Sequence, residues 1–285
     1  MFKNILVPIS SEFYSKDTLK RSVFLAEMFD SKLTFAYIIE EKMLNKTNKL
    51  VDSYITAIGK EKTKKEIINK YKQTADGIIF EEAQRLLKGK EIFFKEKILK
   101  GEFSDAIKRE VDMKKYDLIL MGFEKECLLN YRLLKNLDIP VWIERKGESK
   151  KILAICSNLA PNQKVPEISI KLSEILKWKL HIGYIVDIED AVQVDENGIR
   201  SDKKSEKNLL LIGKKFTQEM KEREIKSYLI KGNLERETLK LAKKINANLV
   251  IVGREQKKKG LLGLPVKNLK RKLAEKCEYS ILFIN

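Results

Sequence analysis

"LKGEFSDAIKREVDMKKYDLILMG" (residues 99–122) recurs as "IKGNLERETLKLAKKINANLVIVG" (residues 230–253), 131 positions further along the chain. Each copy leads with a glycine, continues in a helical pattern and ends in an unbroken apolar run. Working outward, "KNILVPIS" (3–10) aligns with "KKILAICS" (150–157) at an offset of 147. "KLTFAYIIE" (32–40) falls on "KLHIGYIVD" (179–187) at the same offset, and "VWIE" (141–144) falls on "ILFI" (281–284) at an offset of 140. Four matches in one order, with only two changes of length, make the chain two copies of one domain. The second copy is 16 residues shorter before Gly232 and nine longer after Gly253. The seam falls near 146–149, giving a first domain at 1–146 and a second at 147–285.

Within each copy, short apolar runs alternate with helical patterns. The first reads as strand 4–9, helix 15–29, strand 32–39, a long helical region to about 88, strand 92–99, helix 103–113, strand 117–121, a short helix at 129–136 and strand 141–144. The second repeats it with strands near 151–156, 180–186, 226–231, 248–252 and 281–284. Runs such as "LILMG" and "LVIVG" are apolar throughout, as expected of strands covered by helices on both faces. The alternation predicts an α/β fold of two tandem, doubly wound parallel sheets with right-handed crossovers. Ligands of such open sheets bind beyond the carboxyl ends of the strands, which places "PIS" and "VGREQKKKG" (252–260) on the binding edge.

Composition narrows the class. Of 285 residues, 43% are hydrophobic, enough for packed cores. No apolar run approaches the ~20 residues that cross a bilayer, and "MFKNILVPIS" lacks a signal-peptide pattern, so the expected location is the cytoplasm, away from membranes. Cys127, Cys156 and Cys277 are too far apart for a metal site or a redox pair and read as reduced core residues. The formal charge is +17, yet lysines are spread over nearly every helical segment and mixed with glutamates, the pattern of solvated helix faces. That spread argues against nucleic acid as a partner.

"ILVPIS" at the first strand end, a glycine-led third helix, "DLILMG" and the closing "IPVWIE" together resemble the universal stress protein family, and the resemblance spans both halves of the chain. It implies a five-stranded sheet per domain, in the order 3-2-1-4-5, of the adenine nucleotide α-hydrolase-like kind. It also implies that the domains pair through their last strands, setting 141–144 beside 281–284, and leaves room for a homodimer. Nucleotide-binding members carry an aspartate just after the first strand and a G-x2-G-x9-G-[ST] loop after the fourth. The aspartate bonds the adenine end, and the glycines bring backbone N–H groups to the phosphates.

The sequence departs from that pattern in both copies. Ser10 and Ser157 stand at the aspartate position. In copy one only "FEKECLLNYRLLKNLDI" separates Gly122 from Pro140, too short for the phosphate loop. Copy two keeps the length, but its second glycine is Gln256 and its closing pair is Lys267-Asn268; glycines occur instead at Gly260 and Gly263. Pro265 is a helix-start signal, and Arg254 with Lys257, Lys258, Lys259 and Lys267 could hold an anion. The nucleotide or anion site implied for domain 2 is therefore Ile155, Ser157, Val186, Gly253, Arg254, Gly260, Gly263, Lys267 and Asn268.

The expected function is a non-catalytic universal stress protein with a regulatory or binding role in the stress response. The alternative is a binder of ATP, ADP or AMP through domain 2 only, with weak hydrolysis. An enzyme of the wider group is not expected, because "PISSEFYS" and "CSNLAPNQ" lack its "SGGxDS"-like loop. His181 has no second ligand in sight and reads as structural rather than metal-binding. Trp142 and Trp178 read as packing residues, Trp142 at the domain pair. Segment 43–88 is either a solvated helix or a docking surface for a protein partner.

Overall fold

The computed structural model describes residues 1–10, 15–40, 79–122, 137, 139–145, 147–159, 164–189, 191–193, 201, 203–253, 273 and 276–284. Most of the segment 43–88, the expected helix at 129–136, Cys127 and the glycine- and lysine-rich loop after Gly253 lie outside them. The chain forms two compact units, Met1–Leu137 and Asp138–Asn285.

The first unit contains β1 (Asn4–Ile9), α1 (Lys16–Phe29), β2 (Lys32–Ile39), α2 (Glu81–Leu87), β3 (Phe94–Lys100), α3 (Phe103–Met113) and β4 (Leu118–Gly122). Its strands lie in the order β3-β2-β1-β4, all parallel. The second contains β5 (Val141–Glu144), β6 (Lys151–Ser157), α4 (Lys164–Leu176), β7 (Lys179–Val186), α5 (Glu206–Glu222), β8 (Lys226–Lys231), α6 (Leu234–Ile245), β9 (Leu249–Gly253) and β10 (Ser280–Ile284). Here β8-β7-β6-β9-β10 run parallel, the implied 3-2-1-4-5 order in full. β5 joins antiparallel to β10, Trp142 opposite Leu282, so the two last strands of the repeat are hydrogen-bonded as the resemblance implies. This pairing groups β5 with the second compact unit although the repeat assigns it to the first copy. β10 thereby has a neighbour on both sides and presents no open edge.

Helices cover both faces of the second sheet. A Cβ on Gly183 would lie 2.8 Å from Leu241 of α6, while one on Gly213 of α5 would lie 2.6 Å from Leu229 and 2.9 Å from Tyr184. Gly183 and Tyr184 are successive residues of β7 and point to opposite faces, so α6 and α5 sit on opposite sides. Both glycines are close-approach positions that a methyl group would push apart. α6 buries Leu234, Thr238, Leu241, Ala242 and Ile245, a stripe at helical spacing, and leaves Arg236, Lys240, Lys243 and Lys244 exposed. Lysines mixed with glutamates thus do mark solvated faces of this helix.

The repeat is visible bond by bond. Lys32 N–H donates to Lys3 O and Lys179 N–H to Lys150 O, both at 2.8 Å. Gly101 N–H donates to Ile39 O and Gly232 N–H to Val186 O, at 3.1 and 3.0 Å. Both glycines have φ in the left-handed half of the map, +127° and +150°, which explains why "KG" opens the third helix of each copy. The next residue caps that helix: Glu102 Oε2 accepts from Asp105 N–H, and Asn233 Oδ1 from Arg236 N–H, both at 3.1 Å.

Candidate functional site

The carboxyl ends of β6, β7 and β9 form the edge where a parallel sheet of this order offers a crevice. Four of the expected site residues stand there. Ile155 lies between Gly183 on β7 and Val252 on β9, Ser157 pairs with Ile185, Val186 with Lys231, and Gly253 with Ile284. The strand register therefore brings Ile155, Ser157, Val186 and Gly253 to one edge. Arg254, Gly260, Gly263, Lys267 and Asn268 lie outside the described residues. Ile155 and Val186 are fully buried core side chains, so only their backbone can face a ligand. Val186 O already accepts from Gly232 N–H.

Ser157 is buried, and its hydroxyl closes a turn, accepting from Leu159 N–H at 3.1 Å and donating to Asn158 Oδ1 at 3.4 Å. This is the bond pattern of a loop serine. Its neighbour holds the edge together. The fully buried Asn158 amide donates to Asp187 O at 3.1 Å and Val192 O at 2.7 Å, and its oxygen accepts from Asp187 N–H at 2.7 Å. Asn158 thus ties the end of β6 to the segment following β7.

Asp187 extends the network. Its Oδ2 accepts from Leu234 N–H, the first residue of α6, at 2.9 Å, and its Oδ1 from Glu189 N–H at 3.0 Å. A carboxylate at a helix N-terminus meets unsatisfied N–H donors and the positive end of the helix dipole. Asn233 Nδ2 donates to Glu189 Oε2 at 2.9 Å and closes the circle. A chain of side chains from Ser157 to α6 therefore already fills this side of the edge. Sequence reasoning missed Asn158 and Asp187. A signal was available, since Asp187 aligns with Glu40 as an acid following the second strand of both copies.

Asn158→Ala is expected to destabilise the second unit by about 2–3 kcal/mol, because three buried bonds vanish and two carbonyls and an N–H lose their partner. Urea denaturation followed by far-ultraviolet circular dichroism checks it. A loss under about 0.5 kcal/mol would mean water replaces the amide freely and the edge is open.

The thiols carry no nucleophile to this edge. Cys156 is buried beside Ser157, and burial pushes its pKa up to about 12; Cys277 is raised to about 11, first by burial. Both stay protonated at neutral pH, and both are the free core cysteines expected of them. Tyr184 on the adjacent strand is also raised to about 12, by burial and then by Cys156.

His181 lies near the opposite, amino end of β7. Its Nδ1 is 3.1 Å from Tyr228 Oη and the two rings stack at 6.0 Å, while Nε2 has no partner among the described residues. Burial, then Lys226, Lys179 and Lys151, holds its pKa below the usual histidine value, so the ring is neutral at pH 7. Among the described residues, no group of three or more His, Cys, Asp or Glu side chains is gathered where it could hold a metal ion. No helix among them is long and apolar enough to cross a membrane.

Comparison with known proteins decides the family. Residues 1–142 match the model of the universal stress protein family, and the internal repeat carries the same strand order into the second half. The chain belongs to the universal stress protein family. A universal stress protein from Archaeoglobus fulgidus superposes on 99% of this chain and 96% of its own, with a TM-score of 0.62 at 11% identity. A functionally unknown protein from Pseudomonas aeruginosa superposes on 99% of this chain and 92% of its own, with a TM-score of 0.68 at 14% identity. At these identities the likeness is one of fold, over the length of a tandem universal stress protein. No curated protein matches the sequence.

Proposed function

We propose that this tandem universal stress protein is non-catalytic and acts in the cytoplasm through a binding or regulatory role in the stress response, without a conventional ATP site. The observation that carries the reading is the Ser157–Asn158 turn. Where a nucleotide-binding member would present a carboxylate to the adenine end, this chain presents a hydroxyl already bonded within its own turn. The neighbouring amide has used both its oxygen and its NH2 group on the ends of β6 and β7. A base entering there meets a hydroxyl and an amide at the position of the family's carboxylate and must displace buried bonds, each costly to leave unmade. In the first copy the loop after Gly122 is too short to cradle a triphosphate.

Calorimetric titration of ATP, ADP and AMP into the purified chain tests this. The expected result is no heat at millimolar nucleotide. Micromolar binding abolished by Lys267→Glu would overturn it and establish the alternative, a nucleotide binder acting through the second unit.

A further inference from the structure

The first unit carries a different kind of surface at the amino end of its edge strand. Phe93, directly before β3, is 55% exposed, unusual for a large aromatic side chain. Leu33 N–H donates to Phe93 O at 3.0 Å, and Leu33 stands opposite Phe94 and Thr34 opposite Lys95. Lys32 and Phe93 are thus neighbours across the strands, and Phe93 and Lys95 point to the same face. The ammonium of Lys95 lies 5.3 Å from the Phe93 ring centroid and that of Lys32 lies 5.7 Å from it. Among the described residues neither ammonium is in a salt bridge; Asp30, whose carboxylate feels the Lys32 charge, is paired with Lys3 at 2.9 Å.

More cations converge on this face. Lys97 continues the Phe93–Lys95 row and binds the buried Glu110. Lys114, exposed at the end of α3, is held below the usual lysine range chiefly by Lys97. Glu110 pairs with Lys97, which leaves Lys32 and Lys95 as the ammoniums beside the ring. Beside Phe93 and Lys32 opens a cavity of about 840 Å³, whose wall also carries Lys3 and Lys90 and the acids Glu27, Asp30 and Glu91.

From this juxtaposition we infer that the amino edge of the first unit binds single-stranded nucleic acid, with a base stacked on Phe93 and the backbone phosphates on Lys32 and Lys95. An exposed ring set among lysines is the stacking platform and electrostatic track that single strands use without sequence readout. A base that stacks on Phe93 displaces an ammonium held only by a weak, exposed cation–π contact, and the freed ammonium then reaches the phosphate. A membrane surface would call for several apolar side chains in place of one ring. The proposal is independent of the nucleotide question in the second unit.

Fluorescence anisotropy of a labelled oligouridylate of about twelve residues, titrated with the full chain over a range of salt, tests it. Binding is expected at low salt and should weaken steadily as salt rises. Phe93→Ala should weaken it about tenfold and Phe93→Tyr should preserve it. Lys32→Glu with Lys95→Glu should weaken it further and lower the salt slope by about two. The same charge change at Lys207 and Lys215, on exposed α5, should leave binding unchanged. The side chain of Phe93 is largely in water, so its removal does not threaten folding. No binding at low salt, equal affinity of Phe93→Ala and the parent, or equal weakening by the α5 variants would each overturn the proposal. So would a Phe93-dependent preference for anionic lipid vesicles over the oligonucleotide.

Discussion

Trp142→Ala is expected to lower the stability of the second unit by about 3–5 kcal/mol, the largest single-residue effect in this chain. The side chain is 0% exposed and is the largest of those fully buried. Two losses combine. Truncation removes the indole from the core and leaves a cavity. It also removes the indole N–H that donates to Glu144 Oε2 at 2.8 Å, taking one donor from a buried carboxylate. Trp142→Phe separates the terms, since it keeps most of the volume and loses the bond; a cost of about 1–2 kcal/mol is expected. Urea denaturation monitored by circular dichroism, with Trp178 as a remaining fluorescent reporter, measures both. A loss below about 1 kcal/mol for Trp142→Ala would show that β5 contributes little to the core.

Glu110→Ala is expected to cost the first unit about 2–3 kcal/mol at pH 7, less than a fully buried pair because Lys97 can turn back to water. Glu110 is 1% exposed, and its Oε1 accepts from Lys97 Nζ at 2.5 Å and Tyr116 Oη at 2.6 Å. Burial alone would raise its pKa; the Lys97 and Tyr116 hydrogen bonds and the lysine charge outweigh it, and the net value lies below that of a free glutamate. Tyr116 is correspondingly pushed above its usual range, by burial and then by Glu110. A carboxyl whose folded pKa is lowered stabilises fully above its unfolded value and loses that contribution as pH falls through the folded one. The difference between parent and Glu110→Ala should therefore be constant from pH 7 to about 5 and shrink below the unfolded value near 4.5. A difference that grows on acidification would contradict this account.

Much of the fold can be read from the sequence because duplication makes the chain its own control. The strands Asn4–Ile9, Lys32–Ile39, Val141–Glu144 and Lys226–Lys231 and the helix Phe103–Met113 have the bounds their patterns predict. β3 and β4 begin two residues and one residue later than expected, where half-exposed or charged residues blur the apolar signal. α1 starts at Lys16, one residue later than the pattern predicts, with Ser15 as a cap whose side chain makes no capping bond. The site is less legible, for a physical reason. Asn158 acts on Asp187 and Val192, and Asp187 acts on Leu234, across dozens of residues, and no local periodicity reports such bonds. The same holds for Phe93 and Lys32, which meet only through strand pairing.

The antiparallel pair of β5 and β10 has a consequence for how the protein is made. Ile143 and Ile281 face each other across about 140 residues of intervening chain. At ~5–20 residues per second, a ribosome needs roughly 7–30 s to deliver the partner after β5 has emerged. Throughout that interval a strand with a bare tryptophan waits in the crowded cell. Its safety rests on being only four residues long, with Pro140 before it and Glu144 at its end to discourage premature pairing.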